Sequence, residues 1–262
     1  MTHPIAQTLR RGRDRHHAGC HLGMEVDTAG VPGWIPIGTL AADRARLQAM
    51  LARVGREVGS ERRDVQASLF LDAYAWRLVL PLAGALVAEQ RVAASTAHEV
   101  SLRPTEGRPS ELRLVPRRFS VLPEDAAAAH REATVARDPA ILVGLFEPAL
   151  IGHFEALFDA LNAISGRSER ALWRTVGDRT ATALLYAGLA SNDPQAGERL
   201  AHQILRGGRP LRITPAYTTI SVRDALPVCT CDADAAYGGA PRQQPTARPV
   251  PSSKPTRPQS RP

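Results

Sequence analysis

Two of the chain's three cysteines stand one residue apart. Cys229 and Cys231, with Thr230 between them, can place two thiolates on one soft or borderline cation. Two donors do not close a tetrahedral site. The remaining donors must come from elsewhere in this chain, or from a second copy bringing two cysteines of its own. Otherwise the pair is two ordinary thiols. The third, Cys20, lies far off in sequence among imidazoles: His16, His17 and His21. His17, Cys20 and His21 have i, i+3, i+4 spacing, which puts three ligands on one face of a helix. Gly19 and Gly23 oppose a helix there, and a solvated basic lead-in is the plainer reading. If Cys20 is a ligand, its sulfur must lie within about 4 Å of Cys229 or Cys231.

A second kind of chemistry is carried by charges on otherwise apolar segments: Asp72, Arg77, Arg174 and Asp178. Arg174 and Asp178 are four apart and can pair along a helix. A solvated face or an ion pair is the default for such residues; a polar pocket for a ligand is the sharper alternative. His98, His130, His153 and His202 are scattered singly and read as surface or core histidines.

The elements that must hold these residues are mostly helical. From Ser68 to Leu86 the apolar residues Leu69, Phe70, Ala73, Trp76, Val79, Leu80, Ala83 and Leu86 recur at three and four, so a central helix with one wide buried face is expected. Pro81 is expected to kink it or end it near Leu80. A preceding helix runs from about Ala41 to Val58, capped by Thr39 or Asp43, with Leu47, Met50, Leu51 and Val54 inward. Residues 140–164 hold a second large apolar set, including Ile141, with a kink or break at Pro148. Ser168 caps a helix through Leu189, and Pro194–Leu205 forms a short one. Glu99–Leu102 and Glu111–Val115 alternate as a β-hairpin, with Phe119–Leu122 as a short third strand. Leu211–Ile213 and Thr218–Val222 are strand-like. Asp125–Arg137 reads as an exposed, Ala-rich helix, and residues 1–36 as irregular with a short strand near His21–Val26.

A length of 262 residues, 44% hydrophobic and 23% charged, suits a sizeable globular core. The formal charge is +7, but Arg242, Arg248, Lys254, Arg257 and Arg261 lie in a C-terminal stretch without acids; without those five it falls to +2. The basic balance belongs to that stretch, and with no nucleic-acid motif beside it a nucleic-acid partner is not expected. Three cysteines do not describe a disulfide framework. The first residues are polar and basic, without a signal-peptide core, and the charge-free run from Leu78 to Ala88 is shorter than the roughly 20 residues of a membrane span. A cytoplasmic location is therefore expected. The fold class read from the sequence is helix-rich α+β. It is a single domain over about 1–240 with a small hairpin or sheet, followed by a disordered Pro- and Arg-rich tail over 241–262.

Three stretches together resemble a known family. They are Pro32-Gly33-Trp34-Ile35-Pro36, then ASLFLDAYAWRLVLPLAGAL at 67–86, then ALWRTVGDRTATALLYAG at 171–188, with a Cys-containing segment behind them. Their order resembles the ferric-siderophore reductases of the FhuF-like type over roughly residues 20–232. The resemblance implies a helix-rich cytoplasmic protein that reduces Fe(III) in an imported siderophore to Fe(II). It implies an electron donor such as a ferredoxin or flavoprotein, and a [2Fe–2S] cluster on four C-terminal cysteines. In that family's pattern an adjacent pair is followed, about ten residues on, by Cys-x-x-Cys. Here Cys229 and Cys231 occupy the place of the first pair, split by Thr230, and the second pair has no counterpart. Cys229, Cys231 and, less directly, Cys20 are the cluster or metal ligands this implies. The alternative is a redox-inert siderophore- or iron-binding accessory protein on the same fold.

Overall fold

The computed structural model describes residues 3–16, 23–26, 33–105, 108–115, 117–207 and 210–211. Along the chain run α1 (Pro4–His16), β1 (Gly23–Val26), β2 (Ile35–Pro36), α2 (Ile37–Ala42), α3 (Arg44–Glu57) and α4 (Arg63–Glu89). There follow β3 (Val92–Ala94), β4 (Val100–Thr105), β5 (Arg108–Leu114), β6 (Arg118–Val121) and β7 (Ala133–Val135). The last four are α5 (Pro139–Gly144), α6 (Phe146–Ser165), α7 (Glu169–Ala190) and α8 (Pro194–Gly207). This is the helix-rich α+β architecture expected.

Helix α4 is the axis. Phe70, Leu71, Tyr74, Ala75, Trp76 and every residue from Leu78 to Leu86 are buried. The second half is thus buried all round rather than along one face, as a helix at the centre of a domain must be. Leu69, expected inside, is 38% exposed. Pro81 neither ends nor interrupts the helix, which runs on to Glu89. The proline costs about 3 kcal/mol in an isolated helix. Burying the apolar side chains on both sides of it, at roughly 1.5–3 kcal/mol each, outweighs that.

Helix α7 packs along α4, and α1 and α3 lie against it elsewhere. Asp43 caps α3 by accepting the Arg46 N–H at 3.0 Å, and Ser168 caps α7 by accepting that of Ala171 at 3.3 Å. Helix α8 docks on α7 through two glycines. A Cβ on Gly188 would stand 2.6 Å from the Asp193 carbonyl oxygen and 2.9 Å from the Gly197 nitrogen, so only glycine allows the approach.

The strands form two sheets. One has the order β1-β5-β4-β2, with β4 and β5 as the expected hairpin and β1 parallel to β5. The other has the order β3-β6-β7. Strand β6, expected to extend the hairpin, instead pairs with β3 and β7.

Three further expectations are corrected. The segment after β6 is not a helix: Asp125 to Ala133 is a succession of turns bonded i to i+3. The Asp125 carboxylate accepts from the Arg91 guanidinium twice at 2.7 Å and from the Ala127 N–H at 2.7 Å, so it locks a turn instead of starting a helix. Residues 4–16 are helical, not irregular; Ile5, Ala6, Thr8 and Leu9 are buried, while the rest of the segment is polar enough to hide this stripe. The break in the 140–164 stretch falls at Leu145, between α5 and α6. Pro148 then sits in the first turn of α6, where a missing N–H costs nothing. Ile141 is 46% exposed on α5.

By length and composition α4 and the Pro139–Ser165 stretch could each cross a bilayer; in this fold 78% of the first one's apolar window is inside the protein and 44% of the second's. The strand-like segments from 212 on and the tail over 241–262 lie outside the described residues.

Candidate functional site on the α4–α7 face

One of the charged residues singled out from the sequence, Asp72, finds its partner where α4 and α7 run side by side. Asp72 of α4 takes the Arg179 guanidinium in a two-pronged grip, Nε to Oδ1 at 2.5 Å and Nη2 to Oδ2. Paired, parallel N–H···O bonds of this kind fix a guanidinium in one orientation. The Arg179 guanidinium carbon also lies 5.7 Å from the centre of the Trp76 ring, within range of a cation–π attraction. Trp76, 9% exposed, meets the Tyr186 ring edge-on at 5.5 Å. Helical spacing explains the set. Asp72 and Trp76 are one turn apart on α4, and Arg179 and Tyr186 two turns apart on α7, so each helix presents one row.

Arg179 and Asp72 remain partly open to solvent, at 30% and 38%. Next to them Arg174 and Asp178 are loosely paired at 3.9 Å, as their spacing predicted, and both are exposed. The Asp178 carboxyl is pushed up, first by loss of hydration and then by the Asp72 charge, against the pull of Arg174 and Arg179. Arg77, the other predicted residue, turns back to donate to the Ala73 carbonyl at 3.2 Å. The resulting face carries fixed guanidinium and carboxylate groups beside an aromatic ledge. Arg179 was missed by sequence reasoning because its partner is 107 residues away; the local spacing pointed only to Arg174 and Asp178.

Behind this face lies a polar pair in the core. The Tyr74 hydroxyl bonds His153 Nε2, and His153 Nδ1 faces the Ser95 carbonyl oxygen at 3.2 Å. Burial lowers the His153 pKa to about 4 and raises that of Tyr74 well above its ordinary value. His153 is therefore a neutral core histidine, one of the two kinds expected.

The predicted ligands Cys20, Cys229 and Cys231, with His17 and His21, lie outside the described residues; His16 is the last residue of α1. The four-thiolate form of a [2Fe–2S] cluster needs four cysteines. The chain has three, so one chain does not fill that four-cysteine set.

A long helix, buried all round in its second half and flanked by other helices and two small sheets, defines a class of helix-rich α+β domain. That class is represented by aerobactin synthetase IucA from a hypervirulent pathotype of Klebsiella pneumoniae. The ATP-bound structure of that protein aligns at a TM-score of 0.54 with 15% identity, over 78% of this chain and 43% of that one. A second IucA structure from the same source aligns at 0.52 with 15% identity over the same shares. The chain thus spans less than half the length of those synthetases, and at this identity the likeness is one of fold. Among curated proteins there is no significant match. The family model described as "Ferric iron reductase FhuF-like transporter" matches residues 68–221, from the start of the α4 core to beyond α8. The chain belongs to this FhuF-like family, which places it among iron-related proteins.

Proposed function

We propose that this protein is a ferric-siderophore reductase-like protein of iron acquisition, acting in the cytoplasm on an imported ferric siderophore. The α4–α7 face holds the complex. One electron from a donor such as a ferredoxin or flavoprotein converts Fe(III) to Fe(II), and the hard oxygen ligands then let the metal go. What carries the reading is the family match over 68–221, because it encloses the Asp72–Arg179–Trp76–Tyr186 constellation. The domain runs to about residue 240, and Cys229 and Cys231 contribute to iron or cluster binding in an altered form of the family's motif.

A second reading has its own observation. Three cysteines with no Cys-x-x-Cys pair favour a redox-inert siderophore- or iron-binding accessory protein, the cluster having been lost. The test is to purify the full chain without air and record its visible spectrum, iron and acid-labile sulfide. A ferric siderophore, a chemical reductant and a ferrous chelator are then supplied. Accelerated appearance of the ferrous complex supports the reductase. Tight binding of the siderophore without acceleration leaves the accessory protein.

A further inference from the structure

Away from the α4–α7 face, the chain brings two imidazoles and a carboxylate together at the seam between α1 and the β3-β6-β7 sheet. His3 precedes α1; His130 and Glu132 lie in the last turn before β7. One donor atom from each lies within 4.8 Å of the other two, and all three residues are half-buried. We propose that His3, His130 and Glu132 bind a divalent transition-metal cation through two nitrogens and one oxygen, leaving the remaining positions to water or a ligand.

Four observations carry this. First, the donor set is of the borderline kind that suits Zn²⁺, Fe²⁺ or Co²⁺; two histidines and one carboxylate on one side of a metal leave open positions opposite. Second, the rings are held in place. His3 Nε2 meets Glu132 Oε2 at 2.6 Å, and the His3 and His130 rings stand edge to face at 4.8 Å. Phe119 of β6 backs both, at 5.5 Å from His3 and 5.8 Å from His130, and forms an apolar wall. Third, the Glu132 backbone N–H donates to His130 Nδ1 at 3.2 Å and so fixes the orientation of the ring; a metal binding His130 takes the place of this contact. Fourth, His3 Nδ1 is buried and has no hydrogen-bond partner among the described residues. A simple His3–Glu132 ion pair would need neither the second imidazole nor this orphaned nitrogen.

The Glu132 carboxylate supplies the one anionic donor of the set. Arg131 lies 3.7 Å from its other oxygen, Oε1, and is exposed, so it opposes a cation only weakly. Ligands about 2.1 Å from a common ion stand about 3–3.4 Å apart. The cation therefore draws the set of three donors closer together than its present span of up to 4.8 Å, with His130 moving inward.

Isothermal titration of the full chain, free of any histidine tag, with Zn²⁺ and with Co²⁺ tests this. One N/O site is expected, with no thiolate-to-cobalt charge-transfer band. His3→Ala, Glu132→Gln and His130→Ala should each weaken binding by at least about tenfold, whereas a Cys20→Ser, Cys229→Ser, Cys231→Ser variant should retain the site. His130→Ala is the decisive variant, because it leaves the His3–Glu132 bond intact and should fold normally. Unchanged Zn²⁺ affinity in folded His130→Ala overturns the proposal, as does binding abolished only by the cysteine substitutions. The assay reads metal binding alone, so its failure leaves the reductase reading standing, and the reverse also holds.

Discussion

Tyr74 of α4 and His153 of α6 are joined by a hydrogen bond at the centre of the protein, with both side chains essentially without solvent contact. His153 Nδ1–H donates to the Ser95 carbonyl oxygen, so Nε2 accepts from the Tyr74 hydroxyl. The bond ties the central helix to α6 and, through Ser95, to the end of β3. Phe154 stands edge-on to both rings, at 5.9 Å from Tyr74 and 5.3 Å from His153. A proton added to His153 would create an unpaired charge in that apolar surround.

The first prediction follows from that proton. His153 titrates near 4 when folded and near 6.5 when unfolded. Its contribution to stability is present above about pH 6.5. It is lost as the pH falls from there towards 4, because the unfolded chain takes up the proton first. The loss is on the order of 3 kcal/mol. Urea unfolding at pH 7 and at pH 4.5 measures it. In His153→Gln the part of the pH dependence due to this residue should vanish; an equally steep fall in the variant would refute the assignment.

How far this arrangement could be foreseen depends on the range of the interaction. The inward residues of α3, the caps Asp43 and Ser168 and the β4–β5 hairpin are set by neighbours in sequence, and local spacing sufficed for them. Tyr74–His153, Asp72–Arg179 and His3–Glu132 join residues 79, 107 and 129 apart, for which no local pattern exists. Pro81 misled for a related reason: propensity argues for a break, and tertiary burial overrides it. The Asp125 turn misled because its alanines have high helix propensity, while the Arg91 grip that decides the matter comes from beyond β3. Half of the candidate site, Asp72 with Arg174 and Asp178, was legible as charges on apolar helices. Arg179, the member that pairs with Asp72, was not.

Trp76→Ala should destabilise the protein by roughly 3–5 kcal/mol, since it removes a large ring packed between α4 and α7. It also strips Arg179 of its aromatic support. Chemical denaturation checks the first effect. A loss below about 1 kcal/mol would show that the ring is peripheral to the core.

Asp72 and Arg179 should behave differently. Their partial exposure limits the bond's net worth, so a double-mutant cycle with Asp72→Asn and Arg179→Gln should give a coupling of about 1 kcal/mol. Binding of a ferric siderophore should nevertheless fall by about tenfold in either single variant, because a charged, oriented hydrogen bond contributes about 1.5–3 kcal/mol to recognition. Fluorescence titration reads the affinity. Affinity unchanged in both would remove this face from the proposed site.

The last prediction concerns Cys229 and Cys231 and separates the two functional readings. If the pair holds iron, Cys229→Ser with Cys231→Ser should abolish iron retention and the accelerated release of Fe(II). It should also lower the melting temperature, because a metal that binds only the folded chain contributes its binding free energy to folding. If the pair holds nothing, the double change should leave melting unaltered, since replacing a thiol by a hydroxyl is a small change in volume. The His3–His130–Glu132 site is unaffected by these substitutions, so Zn²⁺ titration of the same variant serves as its internal control. Iron loss with an unchanged Zn²⁺ isotherm would assign the iron to the cysteines. Unchanged melting, with no iron in either protein, would end the reductase reading and leave the accessory protein.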